Sequence, residues 1–238
     1  MEPRHPPPSL LLVDDDQELC AMLVRYLSAE GFYCSVAHDG EQALAIAMAE
    51  PFDALILDIM LPKLSGMEVL ERLRQVRTTP VLMLTARGDD FSSIQGLESG
   101  ADDYLAKPCN PKVLVAHLWA VLRRTHSPPE AGPGGAAIQV GEVRLHPASR
   151  VATLGGVPLD LTSAEFAMLH LLLLEAGQPV SKETLCQKGL GRKLASYDRS
   201  VDIHISNLRR KLGNLENGDP RIVTVRTVGY LYAIPRAG

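Results

Sequence analysis

The sequence predicts an α/β chain of two domains: a doubly wound, five-stranded parallel sheet, then a smaller α+β domain of three helices and a hairpin. Three observations carry this. In the first half, short apolar runs alternate with amphipathic stretches five times, the pattern of βα units with helices on both faces of a sheet. A Pro- and Gly-rich segment, HSPPEAGPGGAA, then breaks all periodicity. Beyond it the chain changes to short alternating runs, three helical stretches and a closing alternation.

The elements follow in order. Strands are expected at 10–13, 33–37, 54–57, 81–84 and 104–106, four of them near-continuously apolar, as strands buried on both faces should be. Helices are expected near 17–30, 40–49, 66–76, 90–98 and 111–124. Residues 1–8, MEPRHPPP, lack an apolar signal core and read as a disordered tail. The first domain then spans 9–125, a flexible linker 126–137 and the second domain 138–236. Residues 138–160, broken by Gly155-Gly156 and Pro158, suggest a small antiparallel sheet. Thr162-Ser163-Ala164-Glu165 is a capping box opening an apolar helix that runs to about residue 175. A second helix starts near Ser181 and a third spans about 199–212. Residues 222–233, interrupted by Gly229, close the chain as a β-hairpin. Three helices and a hairpin make a winged helix-turn-helix.

Composition excludes several classes. Hydrophobic residues make up 46% and charged residues 22%, ordinary for a globular protein, and no apolar run is long enough to span a bilayer. Cys20, Cys34, Cys109 and Cys186 show no C-x-x-C spacing, so zinc is not expected and the thiols read as reduced packing residues of a cytoplasmic protein. The net charge of −4 hides a division: residues 1–126 carry −7, residues 127–238 carry +3, and 182–226 alone carry +5. The halves therefore suit different partners.

Four signals converge in the acidic half. Asp14-Asp15-Asp16 follows the first expected strand, Asp58 the third, Thr85 the fourth and Lys107-Pro108 the fifth. In a parallel sheet these all lie at the carboxyl edge, where open α/β folds bind ligands. Clustered carboxylates favour a hard divalent cation such as Mg2+, which needs only two or three protein oxygens. A carboxylate can attack phosphorus to give an acyl phosphate, with a lysine and a hydroxyl cradling the phosphoryl oxygens. Asp16 reads equally as the N-cap of the first helix.

The motifs LLVDDDQEL, LILDIMLPKLSG, LTA and DDYLAKP, in this order, resemble the receiver domains of two-component response regulators over about residues 9–124. The resemblance implies a flavodoxin-like fold in which Asp58 accepts the phosphoryl group from a sensor histidine kinase. It further implies that Asp14, Asp15, Asp58 and the backbone carbonyl of Met60 hold Mg2+, that Thr85 and Lys107 contact the phosphoryl oxygens, and that Tyr104 is the switch aromatic. Pro62 and Gly66 would shape the loop after the acceptor.

In RSVDIHISNLRRKL, Val201, Ile203, Ile205, Leu208 and Leu212 are spaced to pack inward. Arg199, His204, Asn207 and Arg210 could form an exposed face suited to the major groove, with Arg209 and Lys211 on backbone phosphates. This helix and the hairpin IVTVRTVGYLY resemble the OmpR/PhoB class of response regulators, and LGRKLASYDRSVDIHISNLRRKLG is similar to the Cpx-type envelope-stress regulators. By that resemblance Arg226 enters the minor groove from the wing and Thr224 contacts the DNA backbone. Thr227 stands where the class usually has glycine. Phosphorylation would then drive homodimerisation through the fourth helix, fifth strand and fifth helix, raising DNA avidity. There Ser93, Val113 and His117 replace charges the class uses for crossed salt bridges, while Asp102, Asp103, Arg123 and Arg124 remain.

Double-stranded DNA, a cognate kinase and RNA polymerase are the expected partners, with no membrane. An aspartate-phosphate hydrolase would need a second catalytic acid and a cap, but Met60 lies two past Asp58 and no cap-length insertion follows. No enzyme activity is therefore expected beyond the receiver's own phosphoryl transfer and slow dephosphorylation. A receiver acting only as a docking module would not need the basic helix and wing.

Overall fold

The computed structural model describes residues 6–86, 95–126, 136–196 and 198–234. The chain forms two compact units, 1–122 and 123–238. In the first, β1 (Ser9–Val13), β2 (Tyr33–Ala37), β3 (Ala54–Asp58), β4 (Val81–Ala86) and β5 (Asp103–Lys107) form one parallel sheet in the order β2-β1-β3-β4-β5. That order is doubly wound, and it reverses at β1 and β3, where a ligand crevice opens. Leu10, Leu12, Ile56, Leu82 and Leu84 pack on one face against α1 (Gln17–Ala29) and α5 (Pro111–His126). The buried Leu11, Leu55, Leu57 and Met83 alternate with them and point to the other face. Also in this unit are α2 (Gly40–Ala49), α3 (Gly66–Arg74) and the helical residues 95–98, labelled α4.

Local capping explains where these helices begin. Asp16 accepts from Leu19 N at 2.9 Å, Asp39 caps α2 and Ser65 with Glu68 forms a complete capping box on α3. Asp16 is thus the helix cap of the acidic triplet.

The second unit begins with the antiparallel sheet β6 (Ile138–Val140), β7 (Val143–His146), β8 (Val151–Leu154) and β9 (Val157–Pro158). Then comes α6 (Ser163–Leu174), opened by the Thr162/Glu165 capping box. Strand β10 (Pro179–Ser181) leads into α7 (Lys182–Thr184), which continues as a π-helical turn, Leu185–Leu190. After α8 (Ser200–Leu212), β11 (Ile222–Val225) and β12 (Gly229–Tyr232) form the wing, with β10 pairing on β12. A Cβ on Gly229 would lie 2.1 Å from the Val180 carbonyl, so only glycine permits that approach.

Several expected boundaries shift. Asp58, Thr85 and Lys107 lie inside the ends of their strands, not after them: Asp58 pairs with Leu84, Thr85 with Ala106 and Lys107 with Ala86. Their backbones still fit the ladder, which sequence periodicity cannot show to the residue. Pro8, expected in the free tail, accepts from Tyr33 N at 2.9 Å. His126 closes α5 instead of opening the linker, and 127–135 lie outside the described residues. So do 1–5 and the expected helix start at 90–94.

Candidate functional site: an acidic pocket and a winged-helix surface

The fold brings the four separated signals of the first half to one edge. Asp14, Asp15 and Asp58 lie at the ends of β1 and β3, with ligand atoms all within 4.8 Å of one another. The Lys107 ammonium lies 2.5 Å from both Asp14 and Asp58, and Thr85 is buried one strand away. Asp14 is fully buried and Asp15 exposed. Three carboxylates with one lysine leave the cluster net negative, and the donors are all hard oxygens, so the residues fit Mg2+. The Met60 N–H donates to Asp58 Oδ1 at 3.3 Å, while its side chain stands 74% exposed.

Burial raises the Asp58 carboxyl above the ordinary aspartate range, and the Lys107 hydrogen bond and charge only partly oppose it. Burial likewise works against the Lys107 charge, yet Asp14 and Asp58 outweigh it and hold the ammonium more firmly protonated.

Backbone fit holds the loop after Asp58. A Cβ on Gly66 would lie 1.9 Å from the Asp58 carbonyl, and one on Gly40 would lie 1.9 Å from that of Leu64. Lys63, next to Pro62, adopts φ +66° and bonds Asp39 at 2.6 Å. His38, which no sequence signal singles out, places Nδ1 3.0 Å from the Asp14 carbonyl. Tyr104 is half-buried on β5.

On the surface expected to dimerise, the structure corrects the charge inventory. Asp102 is fully buried, bonded to Arg74 at 3.1 Å and Val81 N at 3.0 Å. Asp103 is buried against His117 Nδ1 at 2.9 Å. These partners within the chain hold both carboxylates in buried positions, so neither is an exposed partner for another chain. Arg124 is largely buried and Arg123 exposed, while Val113 is 42% exposed and Ser93 lies outside the described residues.

In the second unit, α8 buries Val201, Ile203, Ile205, Leu208 and Leu212, as their spacing requires. The face expected for Arg199, His204, Asn207 and Arg210 divides. Arg199 and Arg210 are exposed. His204 and Asn207 are only 1% and 3% exposed, which corrects their placement on an open face. His204 follows Val201 by three residues and precedes Leu208 by four, so it borders the apolar stripe. Asn207 accepts from Arg210 at 3.1 Å. Lys211, expected on a phosphate, instead pairs at 2.6 Å with Glu165, which is buried in the α6 capping box. Arg209 donates to the Ile222 carbonyl at 2.9 Å and to Thr224 Oγ1 at 2.8 Å.

The N-terminus of α8 is fixed by Asp198, which accepts from Ser200 N at 2.9 Å and pairs with Arg192. In the wing, Thr224 and Arg226 are exposed. Thr227 adopts φ +64°, the left-handed region that glycine occupies without strain, so the turn keeps its glycine-type backbone although the residue changed.

Family comparisons agree with both halves. Residues 10–119 match the response regulator receiver domain, and 156–232 match the transcriptional regulatory protein C-terminal domain. The chain is 48% identical over 225 residues to the transcriptional regulatory protein CpxR of Klebsiella pneumoniae, and 47% identical to that of Escherichia coli K12. Each alignment covers 93% of this chain and 97% of the relative. Among solved structures, a mutant of RitR matches with a TM-score of 0.76 over 96% of this chain and 100% of that one. Its 22% identity makes this a likeness of fold alone. The response regulator DrrB, a Thermotoga maritima OmpR/PhoB homolog, matches at 29% identity with a TM-score of 0.50, covering 94% and 98%. The chain is a phosphorylation-dependent transcriptional response regulator and belongs to the OmpR/PhoB winged-helix family, within its Cpx-type branch.

Proposed function

We propose that Asp58 is the phosphoacceptor of this regulator and that the receiver catalyses its own phosphorylation. The observation that carries the reading is the Lys107 ammonium, 2.5 Å from Asp58 and from Asp14 beside a three-carboxylate cluster. The ionised Asp58 carboxylate attacks phosphorus; an acyl phosphate forms and the donor's bond to phosphorus breaks. Lys107 turns from Asp58 to the incoming phosphoryl oxygens, and Thr85 offers its hydroxyl to another. Asp14, Asp15, Asp58 and the Met60 carbonyl would hold Mg2+, which when bound neutralises charge on the transferring group.

Thr85 and Tyr104 then relay the change to the surface of α4, β5 and α5, where two chains associate. That association has an unusual chemistry. With Asp102 and Asp103 satisfied within the chain, the exposed Val113 gives the surface apolar character in place of crossed ion pairs. Paired second domains read adjacent half-sites in the major groove through Arg199 and Arg210, with Arg226 in the minor groove and Thr224 on the backbone. The kinase partner, contact with RNA polymerase and a cytoplasmic location follow from the same reading.

Incubation with acetyl phosphate and Mg2+ should produce one acid-stable, hydroxylamine-labile phosphorylated species on a phosphate-affinity gel. Asp58→Ala should produce none, and Lys107→Ala very little. Labelling of Asp58→Ala to the wild-type level would refute the acceptor assignment. Light scattering should show phosphorylated wild-type protein as a dimer; a monomer would refute the association.

A further inference from the structure

We propose that Arg209 is a positioning residue for DNA recognition: its guanidinium clamps the wing to the recognition helix and does not bind a phosphate. The charge and place of Arg209, in the last turn of α8, suggest a backbone contact. Its geometry does not. Nε donates to the Ile222 carbonyl at 2.9 Å and a terminal nitrogen donates to Thr224 Oγ1 at 2.8 Å. The guanidinium carbon lies 5.5 Å from the centroid of the Tyr230 ring, within range of a cation–π contact. Arg209 therefore touches both strands of the wing, β11 at two points and β12 at one.

The same ring ties in the remaining helix. Lys182 of α7 lies 5.9 Å from the Tyr230 centroid and 2.6 Å from Asp202 of α8, and the Tyr230 hydroxyl donates to Asp202. One network thus joins α7, α8, β11 and β12. Nε and one terminal nitrogen of the guanidinium are thus committed to the wing and the ring contact holds its plane, so a phosphate drawing the group away would have to displace them. The planar fork of arginine can reach two acceptors on different residues at once, whereas the ammonium of lysine is a point charge. Thr224 Oγ1 also uses a lone pair on Arg209, which leaves its proton to donate outward. Arg209 thereby aims the one wing hydroxyl expected on the DNA backbone.

The inference rests on the winged-helix DNA-binding reading but needs no particular base contact. The test uses the full chain treated with acetyl phosphate, and a duplex selected by that protein from random DNA. Affinities of wild type, Arg209→Lys and Arg209→Gln are measured across a salt series, with thermal unfolding of each variant alongside. Both variants should stay folded and weaken binding about tenfold, and both should keep the wild-type slope of log affinity against log salt. A phosphate ligand behaves otherwise: Arg209→Lys would bind like wild type, and Arg209→Gln would flatten the slope by about 0.9. Either result overturns the proposal, as does wild-type affinity in both variants. A mutant cycle gives a second reading, because Arg209→Lys keeps the stem and charge and so preserves the fold. Adding Thr224→Val to Arg209→Lys should weaken binding less than the two single losses combined; strictly additive losses contradict the clamp.

Discussion

The two functional surfaces of this chain are built by different means. The receiver pocket is held by backbone. Asp58 sits in a parallel ladder, Gly66 leaves no room for a Cβ beside the Asp58 carbonyl, and Gly40 leaves none beside that of Leu64. The winged-helix surface is held by side chains. Glu165 with Lys211 holds α8 to α6, Arg192 with Asp198 fixes the start of α8, and the Lys182–Asp202–Tyr230–Arg209 network holds the helix to the wing. The contrast suits the chemistry. Phosphoryl transfer needs atoms placed to fractions of an ångström, whereas a DNA surface needs a few charged groups held at a helix-to-wing spacing.

Mutations that strike one kind of support and spare the other put this contrast at risk. The largest effect is expected at Gly66. Gly66→Ala puts a methyl 1.9 Å from the Asp58 carbonyl, where only backbone can give way. Overpacking of this kind should cost the receiver transition about 3 kcal/mol or more in urea unfolding and abolish phosphorylation. A cost under about 1 kcal/mol would show that the backbone is not the constraint.

The next effect is in the second unit. Glu165→Gln removes the buried charge that holds Lys211 at 2.6 Å and weakens the α6 cap. It should lower winged-helix stability by about 2 kcal/mol while leaving receiver phosphorylation untouched. Loss of phosphorylation in this variant would mean that the halves are not built independently.

A pH effect follows from His170. It is buried on α6, its Nε2 has no hydrogen-bond partner among the described residues, and burial together with the Arg150 charge holds its pKa below the ordinary histidine value. The folded state therefore disfavours the imidazolium relative to the unfolded chain. Stability is full above the unfolded value of about 6.5 and falls as pH drops through that value toward the lower folded one. Denaturant midpoints of the second unit should fall between about pH 7.5 and about pH 5, and His170→Leu should flatten that dependence. An equal fall in the variant would place the cause elsewhere.

The smallest effect is at the wing tip. Thr227 is a β-branched residue at φ +64°. Thr227→Gly should relieve strain and raise thermal stability by up to about 1 kcal/mol. An unchanged or lowered melting temperature would mean that the Thr227 hydroxyl, which donates to the Arg226 carbonyl at 2.6 Å, offsets the strain.

How far each surface can be read from sequence follows the same division. Asp14, Asp15, Asp58, Thr85 and Lys107 are legible because each ends an apolar run, and a doubly wound sheet brings all such ends to one edge. Every described strand of the receiver is legible for the same reason. Asp102 and Asp103 mislead, because charged residues at a strand start look exposed until their partners Arg74 and His117, distant in sequence, are placed. On α8 the apolar stripe is legible from periodicity. His204, Asn207, Arg209 and Lys211 are not, because a polar side chain on a helix reads the same whether it meets DNA, a buried carboxylate or a strand carbonyl. Thr227 is a middle case: a departure visible in sequence, whose left-handed backbone only the structure shows.

Charge chemistry at Asp58 is proposed to control DNA binding in a separate domain. The most direct measurement is the affinity of the full chain for its selected duplex with and without acetyl phosphate, for wild type and for Asp58→Ala. Treatment should tighten binding by the wild type and leave the variant unchanged. Equal tightening in both, or none in a wild type shown to be phosphorylated, would contradict that control.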